Sequence, residues 1–226
     1  MSLKHFENLS SHIDNLSSKS ILDLGSGDGN FLVAAAKKGA RAVGLELNQE
    51  YIDKSNKLAE IENVNIDVVQ GLAEKMPFID NSFDFINISE VIEHVDDPGA
   101  LLKEVYRVLK PSGQAYISVP NRFSFRDQHF HLYFINWLPR FTSDIFISIF
   151  GKHKDYSDQS AGLQRLKDMH YYTYGQMNKL AKSFGFTVKD IREEKIKKIS
   201  KSIFLLPIYR IIRTIYFDSF HLILTK

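Results

Sequence analysis

The sequence predicts an α/β domain built on a mostly parallel sheet with helices on both faces. Three observations predict it. Apolar strand-like runs alternate with helix-forming segments from residue 20 to residue 119, the first run ends in a glycine-rich turn, and 226 residues suffice for one such domain with room for insertions.

Each element follows from its own pattern. Met1 to Lys19 is polar, carries His5 and His12, and lacks the continuous apolar stretch of a signal peptide, so a soluble lead-in helix is expected there. Ser20 to Leu24 is a short buried strand, and alanine-rich Phe31 to Lys38 favours helix. Arg41 to Leu47 gives a second strand, Gln49 to Glu60 a helix, and Val64 to Gln70 a third, β-branched strand. Phe83 to Ser89 is the fourth strand. Pro98 to Leu109 is an amphipathic helix closed by Lys110-Pro111-Ser112-Gly113, before a fifth strand from Gln114 to Val119.

Beyond Pro120 the period fails. Residues 121–169, rich in aromatics and histidines, are expected to form a cap. Order returns with a helix from Tyr174 to Phe184, capped by Gly185, then strands at Phe186 to Arg192 and Ser219 to Thr225. Between the last two strands lies a basic and apolar insertion, residues 195–217, interrupted by Pro207.

Composition excludes several classes of function. The formal net charge of +2 provides no global field for coating nucleic acid. With no cysteine there is no disulfide, thiolate metal site or cysteine nucleophile, which is compatible with a cytoplasmic setting. The sequence also has no uninterrupted apolar run of about 20 residues, so a bilayer-spanning helix is not expected.

Ile21-Leu22-Asp23-Leu24-Gly25-Ser26-Gly27-Asp28-Gly29-Asn30 places three glycines where a strand turns into a helix, allowing close approach of a ligand to the backbone. A dinucleotide fingerprint would require glycine in place of Asn30, and the Asp23 and Asp28 carboxylates would repel a diphosphate. They suit a ligand bearing an ammonium and a sulfonium, such as S-adenosylmethionine. Glu46, in Gly44-Leu45-Glu46-Leu47-Asn48, lies about 20 residues on, the separation at which a carboxylate accepts from both hydroxyls of a ribose. A solvated strand-end acid is the plain alternative for Glu46 alone. Its position after this loop favours the ribose role.

The ordered segments ILDLGSGDG, VGLELN, QGLAEKMPFIDNSFDFI, SEVIEHVDDP and LLKEVYRVLKPSG resemble those of class I S-adenosylmethionine-dependent methyltransferases, the family of ubiquinone- and menaquinone-type and many small-molecule enzymes. The resemblance runs from Ser20 through Val119 and more faintly to Thr225. It implies a single Rossmann-like domain over residues 1–226, with a seven-stranded sheet whose last strand is antiparallel. Residues 1–19 would be the lead-in, 20–120 the cofactor-binding core, 121–169 the cap and 170–226 the rest of the sheet. It also implies that Asp23, Gly25, Ser26, Gly27 and Gly29 surround the methionine part of the cofactor, that Glu46 and Leu47 meet the ribose, that Leu72 and Ala73 meet the adenine, and that Ser89 lines the site. Many members have aspartate where Leu72 stands, so here adenine recognition would lean on the Ala73 amide or on Glu74.

Transfer to a hydroxyl needs a base or metal to take the proton. Ser89-Glu90-Val91-Ile92-Glu93-His94 follows the fourth strand, at the sheet edge where open α/β folds bind ligands. Were this turn helical, Glu90 would share a face with Glu93 and His94, and the three could hold a divalent ion. The pattern is similar to that of metal-using members of the family. In members without a metal, a similar segment would only orient the loop. His129 or His131, in Asp127-Gln128-His129-Phe130-His131, could add a ligand or act as base, and His170 is a weaker candidate.

The cap aromatics Phe123, Phe125, Phe130, Tyr133, Phe134, Trp137, Phe141, Phe146 and Phe150 could roof an acceptor pocket or build the cap's own core. In the insertion, Lys195, Lys197, Lys198, Lys201, Arg210 and Arg213 mix with Ile203, Phe204, Leu205, Leu206, Ile208, Ile211, Ile212 and Ile215. This mixture suits either an anionic membrane surface presenting a lipid-like acceptor or an ordinary packed helix pair with solvated lysines. O-methylation of a small or lipid-like acceptor, yielding S-adenosylhomocysteine, is expected. The rivals are an RNA 2′-O-methyltransferase, a non-catalytic S-adenosylmethionine-binding module and a nicotinamide oxidoreductase.

Overall fold

The computed structural model describes residues 16–150, 165–199 and 205–226. The expected lead-in helix therefore lies mostly outside the described residues, as do residues 151–164 of the cap and Lys201, Ile203 and Phe204 of the insertion. Among the described residues seven strands form one sheet in the order β3-β2-β1-β4-β5-β7-β6. They are β1 (Ser20–Leu24), β2 (Arg41–Glu46), β3 (Asp67–Gln70), β4 (Phe83–Ile88), β5 (Leu109–Pro120), β6 (Thr187–Asp190) and β7 (Ser219–Thr225). β1 through β5 pair in parallel, and β7 lies antiparallel between β5 and β6. The order reverses direction between β1 and β4, and that switch point opens a crevice at the carboxyl ends of the strands.

The connecting helices are α1 (Asn30–Lys37), α2 (Gln49–Ile61), α3 (Pro98–Val108), α4 (Arg140–Phe150), α5 (Tyr174–Ser183), α6 (Ile191–Ile199) and α7 (Leu205–Ile212). Their starts are chemically marked. Asn48 accepts the Glu50 N–H, Asp97 accepts those of Gly99 and Ala100, and Thr173 and Gln176 form a reciprocal capping box. One face of the sheet packs a large core around Leu24, Ile86, Ile88, Leu101, Val105 and Ile117, and the other a smaller one around Ile21, Phe31, Leu32, Phe85 and Tyr116. Burial on both faces explains why the central strands are continuously apolar.

Several boundaries differ from expectation for identifiable reasons. β3 begins at Asp67, because Val64 instead donates to Ala59 O and ends α2. Lys110 to Gly113 form no separate closing loop: β5 already pairs at Leu109, and these residues bulge from it with Ser112 at φ 64 and a register shift opposite Phe83 and Phe85. β6 is cut to Thr187–Asp190 because Asp190 caps α6, accepting from the Arg192 and Glu193 amides. Pro207 does not interrupt α7, since in the first turn its missing N–H has no intrahelical partner to lose.

α7 has its polarity reversed. Its inward residues are Tyr209 and Arg213 beyond its end, which bond Asp190 Oδ2 at 2.8 and 3.1 Å, while Leu205, Ile208, Ile211 and Ile212 face outward. Glu193 takes Arg213 and Arg210 as well. A buried ionic cluster therefore holds this helix to the sheet.

Candidate active site

The glycine turn after β1 supplies the first wall. Gly25, Gly27 and Gly29 all have positive φ, and a Cβ at Gly27 would meet no atom within 4 Å, so that backbone faces open space. Glu46, ending β2, holds the turn: its Oε2 accepts the Gly27 N–H at 2.9 Å, and its Oε1 accepts those of Leu47 and Asn48 at 2.9 and 3.0 Å. Oε2 keeps acceptor capacity for a hydroxyl donor, while Oε1 already accepts two amides. Ser55 of α2, which the sequence did not single out, is buried and donates to Gly27 O at 2.7 Å, bracing the loop from behind.

Asp23 sits beneath the turn, in register with Asn87 of β4, whose Nδ2 donates to it at 2.6 Å. Asn87 was also missed, since an asparagine inside an apolar strand signals its role only when paired across the sheet. Its Oδ1 is buried and lacks a hydrogen-bond partner among the described residues. Burial pushes the Asp23 carboxyl up from its ordinary 3.8 to about 7, although the Asn87 hydrogen bond pulls the other way. An open glycine backbone above buried acceptors is a donor set that fits an ammonium-bearing nucleoside, with Glu46 placed for its sugar.

The raised pKa has two opposite consequences. A folded-state pKa above the unfolded value contributes stability that is present below about pH 4 and lost as pH rises through about 7. The ionised form that costs stability is the one that attracts an ammonium. Affinity for S-adenosylmethionine should therefore rise between pH 6 and pH 8. Asp23→Asn should flatten that rise, weaken binding at pH 8 and raise thermal stability there, as calorimetry and thermal melts would report.

Leu72 is 53% exposed, and Leu47 is also exposed at the crevice rim. The Glu74 carboxylate accepts the Asp96 N–H at 2.9 Å through Oε1. Ser89, half-buried, follows β4.

The second wall is the segment after β4, and it is not the helical turn that would group Glu90 with Glu93 and His94. Glu90 takes a left-handed φ of 56 and is exposed, its N–H held by Ser118 Oγ, so it does not share a face with Glu93 and His94. The cluster that forms instead is Glu93, His94 and His129, with one candidate ligand atom from each within 4.8 Å of the others. Glu93 and His129 are buried, with His129 Nε2 3.7 Å from Glu93 Oε1, and the rings of His94 and His129 meet edge to face at 5.5 Å. His131 points elsewhere, to Arg126, and the His170 N–H donates to Glu93 O.

Behind His129 stands a network that the sequence did not disclose. Asp127 Oδ1 accepts the His129 and Phe130 amides, and Oδ2 accepts Asn136 Nδ2 at 3.0 Å and Tyr171 Oη at 2.9 Å. Burial, then the Asp127 charge, holds the Tyr171 phenol well above its ordinary value, so it keeps its proton. That proton goes to Asp127. Tyr171 Oη must then accept from His129 Nδ1, 2.6 Å away, which puts the His129 hydrogen on Nδ1 and the Nε2 lone pair on the Glu93 side. Tyr171→Phe should release this tautomer. Nitrogen NMR of His129 should change from an Nδ1–H pattern to a mixture, with turnover lowered about tenfold or more.

A further cavity of about 610 Å³, lined by Arg41, Asp67, Ser82 and Phe83 among others, lies at the opposite ends of these strands and belongs to neither wall.

A doubly wound sheet with an open glycine turn, a ribose-spaced acid and a ligand crevice at the switch point defines a nucleoside-binding α/β enzyme fold. Residues 22–117 match the family model described as a methyltransferase domain. The chain is 30% identical over 194 residues to the ubiquinone biosynthesis O-methyltransferase of Pseudomonas fluorescens strain Pf0-1, covering 80% of this chain and 81% of that protein. It is 32% identical over 174 residues to the enzyme of that name from Pseudomonas syringae pv. tomato, covering 73% and 72%. Among solved structures, an S-adenosylmethionine-dependent methyltransferase from Mesorhizobium loti superposes with a TM-score of 0.66 at 16% identity, covering 97% and 96% of the two chains. One from Methanosarcina mazei gives 0.63 at 21%, covering 97% and 96%. The chain belongs to the class I S-adenosylmethionine-dependent methyltransferases, and its cofactor is S-adenosylmethionine.

Proposed function

We propose that the protein methylates a hydroxyl of a small or lipid-like acceptor. The observation that carries this reading is the cluster of buried Glu93 and His129 with half-buried His94 after β4, with His129 oriented by Tyr171 and Asp127. A neutral amine, whose lone pair is already free, has less need of such a base.

The cofactor supplies a methyl group on a sulfonium, transferred by in-line displacement. The chain's residues do the rest. The glycine turn and Glu46 fix the nucleoside, Asp23 attracts its ammonium, and Leu72 with the Ala73 amide meets its base. His129 Nε2 accepts the acceptor's proton as the oxygen attacks, and the Glu93 carboxylate stabilises the imidazolium that forms. Glu93, His94 and His129 also make a nitrogen-rich, singly acidic set that would suit a borderline divalent ion, which would lower the acceptor hydroxyl's pKa.

The exposed apolar surface supports a lipid-like acceptor. Outside α7, Tyr133, Phe125, Phe134 and Trp137 stack edge to face in succession, and the Phe125 N–H bonds Ile215 O, which joins them to the exposed end of the insertion. Ile211 is 70% and Phe141 75% exposed. Such exposed apolar surface marks an interaction site, and we read it as resting on a membrane face. No helix among the described residues is long and apolar enough to cross a membrane.

The test is incubation with methyl-labelled S-adenosylmethionine and fractionated cell extract, with and without a chelator. Label should appear as an alkali-stable ether in the lipid or small-molecule fraction. Label on nitrogen, carbon or RNA would overturn the reading, and loss of turnover with the chelator would assign the metal.

A further inference from the structure

Most arginines described on this chain face a carboxylate. Arg41 pairs with Asp67, Arg107 with Glu104 and Asp80, Arg165 with Asp168, Arg210 with Glu193, and Arg213 with Asp190 and Glu193. Arg122, Arg126, Arg140 and Arg192 do not, and two of these, Arg122 and Arg140, act on one another. Both are half-buried in the cap, and neither has a carboxylate within 4.0 Å among the described residues.

Arg122 leaves the carboxyl end of β5, the edge where the acceptor must arrive, with its N–H on Tyr172 O at 2.9 Å. Its Nη2 reaches Leu138 O at a long 3.4 Å, and its Nη1 is buried with no hydrogen-bond partner among the described residues. Arg140 opens α4 two residues past Leu138, donates to Leu166 O at 3.1 Å, and lies over the Tyr171 ring with Cζ 4.7 Å from the centroid. The positive end of the α4 dipole adds to the same region. Burial lowers the pKa of both guanidiniums, and for Arg140 the nearby Arg122 charge adds to it, drawing it down to about 10. Two like charges half removed from water, with Asp127 and Asp144 acting on Arg140 only from beyond ion-pair distance, carry a cost that a directly bound anion would offset.

We propose that Arg122 and Arg140 form a subsite for an anionic group of the methyl acceptor, a carboxylate or a phosphate. The inference rests on the acceptor site assigned above, because Tyr171 connects the two: its ring lies under Arg140 and its hydroxyl bonds His129. The anionic group is thereby placed about one phenol ring from the base, which selects acceptors with a hydroxyl and an acid at opposite ends of a short scaffold. Planar guanidinium forks suit both acids.

The test uses the full chain without S-adenosylmethionine, so that it reads binding and not turnover. Calorimetry with benzoate, phenyl phosphate and the neutral isostere benzamide should show at least one anion binding tenfold or more tightly than benzamide, and the tighter anion identifies the acid. Arg122→Gln and Arg140→Gln should each weaken that anion tenfold or more while leaving the melting temperature equal or higher, because an unpaired half-buried charge has gone. Equal binding of benzamide and both anions to the wild type, or undiminished anion binding by the variants, would overturn the subsite. Should the variants fail to fold, the wild-type comparison alone decides. Anion binding without O-methyl transfer in the labelling experiment would instead remove the acceptor reading and leave the arginine subsite standing.

Discussion

Replacing His129 with alanine is expected to lower methyl transfer by about 10²–10⁴-fold, the usual contribution of a positioned general base, with cofactor affinity unchanged. The expectation comes from position. His129 belongs to the cap, not to the strand ends proposed to hold the nucleoside, and its Nε2 lies 3.7 Å from Glu93 Oε1. Its loss removes the proton acceptor without touching Gly27, Glu46 or Asp23. It also strands the Tyr171 oxygen that accepts from it, so a stability loss of about 1–3 kcal/mol should accompany the kinetic one. Glu93→Gln separates the two effects, since it keeps volume but removes the charge facing the imidazole. Single-turnover assays at saturating S-adenosylmethionine check both variants, and full activity in either would take the cluster out of the reaction.

Gly27→Val is expected to abolish cofactor binding in calorimetry while the protein still folds. A Cβ there meets nothing within 4 Å, so the new side chain enters the crevice and not the core. The left-handed φ of 51 adds strain of about 1–2 kcal/mol, which a domain of this size can carry. Gly29→Ala is the contrasting control. Its Cβ would lie 2.8 Å from Ser55 Cβ and 3.0 Å from Ser55 Cα, so it should damage folding first. Wild-type affinity in the Gly27 variant would show that the nucleoside does not lie against this turn.

The parallel half of the sheet was legible because its signals are local. Glycines after an apolar run, Asp97 before Pro98, and alternation of strand and helix each act within a few residues, and they placed β1, β2, β4 and α3 closely. The Glu90 grouping failed for the same reason, because spacing along a helix says nothing once the backbone turns left-handed at that residue. Asn87 beside Asp23 and Tyr171 beside His129 are contacts across 64 and 42 residues. No periodicity encodes such pairs. Ser55 is concealed differently: on α2 it looks like a neutral helix residue, and only the loop's return over it reveals a donor. Leu109 to Gly113 misled because a glycine and proline that usually end an element here occupy a bulge within one.

The polar suspension of α7 separates two properties that most amphipathic helices bind together. An ordinary surface helix is attached through its greasy side, so altering that side alters attachment. Here Asp190 and Glu193 grip Tyr209, Arg210 and Arg213, and the greasy side faces the surroundings. Ile208 and Ile211 could therefore change to suit whatever the proposed surface meets without loosening the domain. In Ile208→Glu with Ile211→Glu, vesicle sedimentation should fall while the melting curve stays in place.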